Sequence, residues 1–158
     1  MTNLKEQIIA ISKEIGISKI GFTTADNFDY LEKSLRLSQE KGTNSGFEHQ
    51  NIEERIKPKL LLDNAKTIIS IAVAYPNKLP QLPGKSPYKR GKFSSSSWGV
   101  DYHTILTEKM ARLSERIAEL TDDFDHKAMV DTGALVDTAV ARRAGIGFIG
   151  KNGLVISK

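Results

Sequence analysis

The chain has 158 residues, with 23 Lys and Arg against 19 Asp and Glu, a net charge of +4, and 39% hydrophobic residues. These values describe one globular domain of ordinary size and exclude a disordered chain. The longest apolar run, Ile68 to Tyr75, is broken by Ser70 and falls far short of the roughly 20 residues that cross a bilayer. With no cysteine and three His, the chain itself can form no disulfide, thiolate zinc site, cysteine nucleophile or cysteine-held iron–sulfur cluster.

Asn3 and Glu6 form a capping-box pattern, followed by helical spacing at Leu4, Ile8, Ile11 and Ile15 and a C-terminal stop at Gly16. Charged residues between those positions make this an amphipathic helix and not a signal peptide. A short strand is expected over Ile17 to Thr23, a helix from Asn27 to Lys41, and a loop with one helical turn before Pro58. Lys66 to Tyr75 is β-branched and apolar on both faces, the pattern of a central strand. Asp101 caps a third predicted helix reaching Leu120, with Ile105, Leu106, Met110, Leu113 and Ile117 on one stripe. His126 to Asp131 reads as a strand, Ala134 to Ala144 as a helix ended by Gly145, and Leu154 to Ser157 as a last strand. Helices and strands alternate, giving an α/β or α+β class in one domain over 1–158. The chain ends at Lys158 inside an apparent strand, so further sequence beyond it is expected.

Residues 76–100 hold four prolines, three glycines, five basic residues and no acidic one, ending in Ser94, Ser95, Ser96, Ser97 and Trp98. Such a loop suits phosphate, in RNA or in a large cofactor, or is simply solvated. Gly145-Ile146-Gly147-Phe148-Ile149-Gly150 matches G-x-G-x-x-G in letters. It follows a helix and leads into a strand, the reverse of a dinucleotide-binding fingerprint. Gly145, Gly150 and Lys151 nearly match a P-loop, but Asn152 lacks the hydroxyl for magnesium. What survives is a turn that presents Lys151 and Asn152 and lets backbone approach closely. Asp131 stands at a predicted strand end before Thr132-Gly133, where α/β folds place chemistry; a helix cap is the competing role. Asp137 reads as a solvated helix-face residue. Asp101-Tyr102-His103 matches the opening of the D-x-H-x-x-G cobalamin motif, broken by Leu106, so His103 reads as a first-turn helix residue. His49 and His126 have no evident partner in the sequence.

Several segments together resemble epoxyqueuosine reductases. They are Asn51-Ile52-Glu53-Glu54-Arg55, Pro58-Lys59-Leu60-Leu61, Ala65-Lys66-Thr67-Ile68-Ile69-Ser70, Ala74-Tyr75-Pro76, Trp98-Gly99-Val100-Asp101-Tyr102-His103, Val130-Asp131-Thr132-Gly133 and Arg143 through Asn152. Val100 and Gly153 depart from the residues usual in that family. The resemblance implies a tRNA-modifying oxidoreductase that reduces epoxyqueuosine to queuosine with base-off cobalamin and two [4Fe–4S] clusters. It implies a nitroreductase-like sheet with flanking helices, here the cobalamin-binding N-terminal part, cut before a ferredoxin-like domain that carries the clusters. It implies Asp131 as proton donor, Arg55, Ser94, Asp131, Lys151, Asn152 and Val155 around the cobalamin, and Tyr102 and His103 near the substrate. Arg and Lys suit phosphate or amide carbonyls, and Ser and Asn suit propionamides. A cytoplasmic monomer acting on tRNA, without membrane contact and inactive as the isolated chain, is the resulting expectation. A carrier of cobalamin or flavin and an RNA-binding module stay open beside it.

Overall fold

The computed structural model describes residues 3–74, 88, 91, 93, 99–131 and 133–157. Its elements in chain order are α1 (Leu4–Glu14), β1 (Lys19–Thr24), a 3₁₀ turn (Asp29–Leu31), α2 (Glu32–Glu40), α3 (Ile52–Ile56) and a second 3₁₀ turn (Pro58–Leu60). There follow β2 (Thr67–Ala72), α4 (Tyr102–Ala118), α5 (Asp137–Arg143), β3 (Phe148–Ile149) and β4 (Val155–Ile156). The architecture is α+β: helices around two small antiparallel sheets, β1 with β2 and β3 with β4.

The helix starts follow from their caps. Asn3 accepts the Lys5 N–H, and Asp101 accepts the His103 N–H, each satisfying a donor that the first turn leaves free. The β1–β2 register sets Ile20 opposite Ile71 and Phe22 opposite Ile69, so these four share one face. Against that face pack Ile8, Ile11 and Ile15 of α1 and its exit, and Leu113 and Ile117 of α4. Ile68 points to the other face and meets a second core of Phe28, Ile52, Ile56, Leu135, Ala139 and Val140. The two-stranded sheet therefore lies between α1 with α4 on one side and α3 with α5 on the other.

Gly21 permits the second packing: a Cβ there would sit 2.2 Å from the Ala144 carbonyl oxygen. Arg143 then locks α5 to the exit of β1. Its guanidinium donates to the carbonyls of Thr24 (2.8 Å), Asp26 (2.9 Å) and Asn27 (3.2 Å) and lies 3.4 Å from the Phe28 ring centre.

Four expectations are corrected here. β2 is apolar on both faces as read, yet among the described residues it pairs with β1 alone and is not a central strand. Residues 126–131 form no strand. A strand needs a neighbour about 4.8 Å away, and a cavity separates this segment from the open edge of β2. α5 starts at Asp137, not at Ala134, and its N-cap Val136 supplies no side-chain bond. The Asn27–Lys41 helix opens as a 3₁₀ turn at Asp29 before α2.

Candidate functional site

A cavity of about 570 Å³ runs along β2, within the usual range for small-molecule sites. All six residues of β2 line it, which identifies the unpaired edge of that strand as one wall. Leu106, Met110, Leu113 and Ile117 of α4 form a second wall, residues 124–131 a third, and Asp137 of α5 and Val155 of β4 complete it.

Asp131 lies at the mouth with its backbone at φ 54°, the one non-glycine residue in the left-handed region among those described. Left-handed backbone disfavours side chains, Asp and Asn least. Its side chain is 61% exposed. The first turn of α4 brings two groups to the same oxygen of that carboxylate. The Tyr102 hydroxyl donates to Oδ2 at 3.0 Å, and His103 Nε2 lies 3.4 Å from it. The opposite nitrogen of the imidazole, Nδ1, lies 2.8 Å from Asp101 Oδ1. The Tyr102 and His103 rings stack with centres 4.1 Å apart. Four side chains from positions about 30 apart in sequence thus form one array: Asp101, His103, Asp131 and Tyr102.

Electrostatics follow from these contacts. The Asp101 carboxyl is held below its ordinary range by the His103 backbone N–H and then by its ring. The His103 pKa is raised by its hydrogen bond to Asp101, with Asp131 adding in the same direction against a burial cost. Burial, and then the Asp131 hydrogen bond, raise that of Tyr102. Asp137 is pushed up to about 6, first by burial and then by the charge of Asp131. Solvent reaches Asp137, but it stands inside a concavity where protein displaces much of the bulk water. Burial of that kind disfavours the charged form.

The sequence-predicted residues divide. Asp131, Tyr102, His103 and Val155 meet at the cavity or one bond from it. Asp131 is not a helix cap, since α5 begins six residues later. Arg55 lies half-buried on α3 and does not line the cavity, and Lys151 and Asn152 also stand outside its lining. Asn152 is occupied within its own hairpin, where its side chain accepts the Leu154 N–H at 3.2 Å. Ser94, and most of the basic stretch 76–100, fall outside the described residues. Sequence reasoning missed Asp101 as a ring partner, having read it as a cap only. It read Asp137 as a solvated helix-face residue, and Asp137 is exposed, but the structure also sets it on the lining of the cavity, which its apolar neighbours Leu135, Val136, Ala139 and Val140 could have signalled. His49 and His126 do have partners: the first is 2.8 Å from Glu54, and the second stacks on Phe124. Among the described residues no cluster of His, Asp and Glu could hold a metal ion, and no helix is long and apolar enough to cross a membrane.

Comparison with known proteins points one way. The family described as epoxyqueuosine reductase QueG, DUF1730, matches residues 55–132. The chain is 56% identical over all of its 158 residues to an epoxyqueuosine reductase of Lactococcus garvieae, of which it covers 45%. It superposes on the structure of epoxyqueuosine reductase from Streptococcus thermophilus with TM-score 0.92 and 69% identity, covering 99% of this chain and 42% of that one. An epoxyqueuosine reductase solved with an epoxyqueuosine-modified tRNA-Tyr stem loop matches at TM-score 0.90 and 48% identity, over 98% of this chain and 41% of that one. The chain spans less than half the length of these relatives.

Proposed function

Because the chain is related to the epoxyqueuosine reductases along its whole length, we propose that it forms the cobalamin-facing part of an enzyme that reduces epoxyqueuosine to queuosine in tRNA, with Asp131 as the acid. The observation that carries this reading is Asp131 itself. It is a carboxyl group set on left-handed backbone at the mouth of a largely apolar cavity, with one oxygen engaged by Tyr102 and His103. No hydrogen bond engages its second oxygen among the described residues. That leaves an oxygen able to face a substrate. Reducing an epoxide to an alkene releases its oxygen as water, and that oxygen must be protonated as it leaves. A positioned carboxylic acid contributes roughly 10²–10⁴-fold to such a step.

The cavity suits one face of a corrin. Ile69, Ile71, Met110 and Val155 give apolar wall, and Ser70 and Ser114 give hydroxyls for ring amides; Arg55, Lys151 and Asn152, outside that lining, are proposed as further contacts to the cofactor. Cobalamin, carrying its own cobalt, supplies the electrons when bound. This chain supplies the apolar wall and the proton donor. It has no cysteine, so the clusters that would relay electrons belong to a ferredoxin-like domain elsewhere in the enzyme. A nitroreductase-like sheet stays the proposal for this part of the enzyme, and most of the tRNA-binding surface is proposed to lie in the rest of it.

The test is Asp131→Asn in the protein that carries this chain. Asn tolerates the same backbone conformation and Asp131 caps no helix, so the fold and the cobalamin spectrum stay unchanged while turnover of an epoxyqueuosine-modified stem loop falls roughly 10²–10⁴-fold. Near-normal turnover in that variant would remove Asp131 from the chemistry.

A further inference from the structure

Turning an epoxide into an alkene and water consumes two electrons and two protons. The electron pair comes from the reductant, a reduced corrinoid on the reading above, but one carboxylic acid holds one proton. The second must reach the same oxygen, either through Asp131 or past it. Three groups other than Asp131 itself bear on that carboxylate. Tyr102 donates to it and has its pKa raised, so its hydroxyl proton is held more tightly. Asp137 acts on it only through charge, with no hydrogen bond given or taken among the described residues. His103 alone joins it to a further proton-binding group: Nε2 is 3.4 Å from Asp131 Oδ2 while Nδ1 is 2.8 Å from Asp101.

Resting on that reading, we infer that His103 is a positioning residue that returns a proton to Asp131 within each turnover, with Asp101 fixing its ring. In the step, the Nε2–H bond of the imidazolium breaks and an O–H bond forms at Asp131 Oδ2. The ring becomes neutral, and the carboxylate becomes the neutral acid again, holding the proton for the second protonation. The imidazole side chain is 39% exposed, so water restores its proton afterwards. Asp101 is suited to the part: its oxygen receives both the backbone N–H and the ring of His103, which allows one ring orientation and keeps Nε2 toward Asp131. The Nε2 distance is that of an ion pair, and catalytic hydrogen bonds commonly tighten only with substrate present. The charged and titratable groups facing the ring are Asp101 and Tyr102 beside it on the chain and Asp131 across from it, with Asp137 acting through Asp131 and Tyr102. His103 is favoured in its charged form by both Asp partners, as a proton donor requires at neutral pH.

Two readouts test this. Imidazole NMR titration of the 158-residue chain, assigned with His49→Gln and His126→Gln, places the His103 midpoint above the ordinary histidine value, and Asp131→Asn and Asp101→Asn each lower it. Asn keeps the α4 cap, so a fall in the second variant reports the ring contact. A His103 midpoint unmoved by Asp131→Asn overturns the relay. In the protein that carries this chain, turnover falls as pH rises through the His103 midpoint. His103→Gln lowers turnover at least roughly tenfold and abolishes that limb, and added imidazole restores part of the rate. A His103→Gln variant with the parent's rate and pH profile also overturns the relay, while leaving Asp131 as the acid. An active Asp131→Asn variant instead overturns the proposed function itself.

Discussion

Two regions of this molecule look like sites in the sequence, and they differ in what their residues do once folded. The Gly145–Asn152 turn has the richer vocabulary, matching one nucleotide motif in letters and nearly matching another. In the structure it is an exit from α5 into the β3–β4 hairpin, and its polar groups are turned on itself: Asn152 accepts the Leu154 N–H, and the Leu154 carbonyl accepts the Gly150 N–H. The Asp101–His103 and Asp131 segments are short and ordinary as letters. Folded, they bring four side chains together at a cavity mouth, with Asp131 on left-handed backbone. Glycine spacing here serves packing, and the proposed chemistry resides where separate segments converge on one carboxylate.

The largest test of that contrast is Gly147→Ala. A Cβ there would lie 2.3 Å from the Ile156 carbonyl oxygen, so the hairpin must open. The expected loss is about 3 kcal/mol, at the upper end for overpacking, with the imidazole titration of His103 unchanged. A melting temperature within error of the parent's would show that the turn is not held by close backbone approach.

Asp131→Gly makes the opposite bargain. Glycine adopts φ 54° without penalty, so stability rises by about 1 kcal/mol, the scale of left-handed strain in a side-chain-bearing residue. On the proposed role the acid is removed, so reductase turnover in the protein that carries this chain is lost. A variant less stable than the parent in chemical denaturation would show that Tyr102 and His103 hold the loop more strongly than its backbone resists.

Asp137→Asn has the smallest expected effect and a definite sign. The folded pKa of Asp137 lies near 6, above its ordinary 3.8, so the folded state binds this proton more tightly. Its contribution to stability is present below about pH 4 and is lost as pH rises toward 6. Two units would be worth about 3 kcal/mol, but solvent reaches this carboxylate and screens it. The variant is therefore more stable at pH 7.5 by under about 1 kcal/mol and unchanged at pH 4. Equal thermal shifts at both pH values would count against the cavity environment assigned to Asp137.

The sequence was most readable where structure is local. Asn3 and Asp101 announce their helices because a cap acts within three residues, and the apolar stripe of α4 needs only the helical period. Reading failed where a residue's role depends on a distant partner. Residues 126–131 have strand-like letters, yet a strand exists only beside another, and none adjoins them among the described residues. Asp131 was legible as a candidate from its place before Thr132-Gly133 and from family resemblance. Its ties to Tyr102 and His103 cross about 30 residues and leave no periodic trace. Asp137 was legible as solvated but not as cavity lining, because helical spacing gives a direction around an axis and not what stands there.

The open edge of β2 has a consequence for how this chain behaves in a tube. Six residues of it line the cavity, with β1 on the far side, so among the described residues the backbone groups on its outward edge have no β partner. Every copy carries the same edge, and antiparallel strands can satisfy one another about a twofold axis. At the concentrations used for spectroscopy the purified chain is therefore prone to pair with itself. Dilution, or a charged residue placed at Ser70 in the middle of that edge, is the direct way to keep it apart.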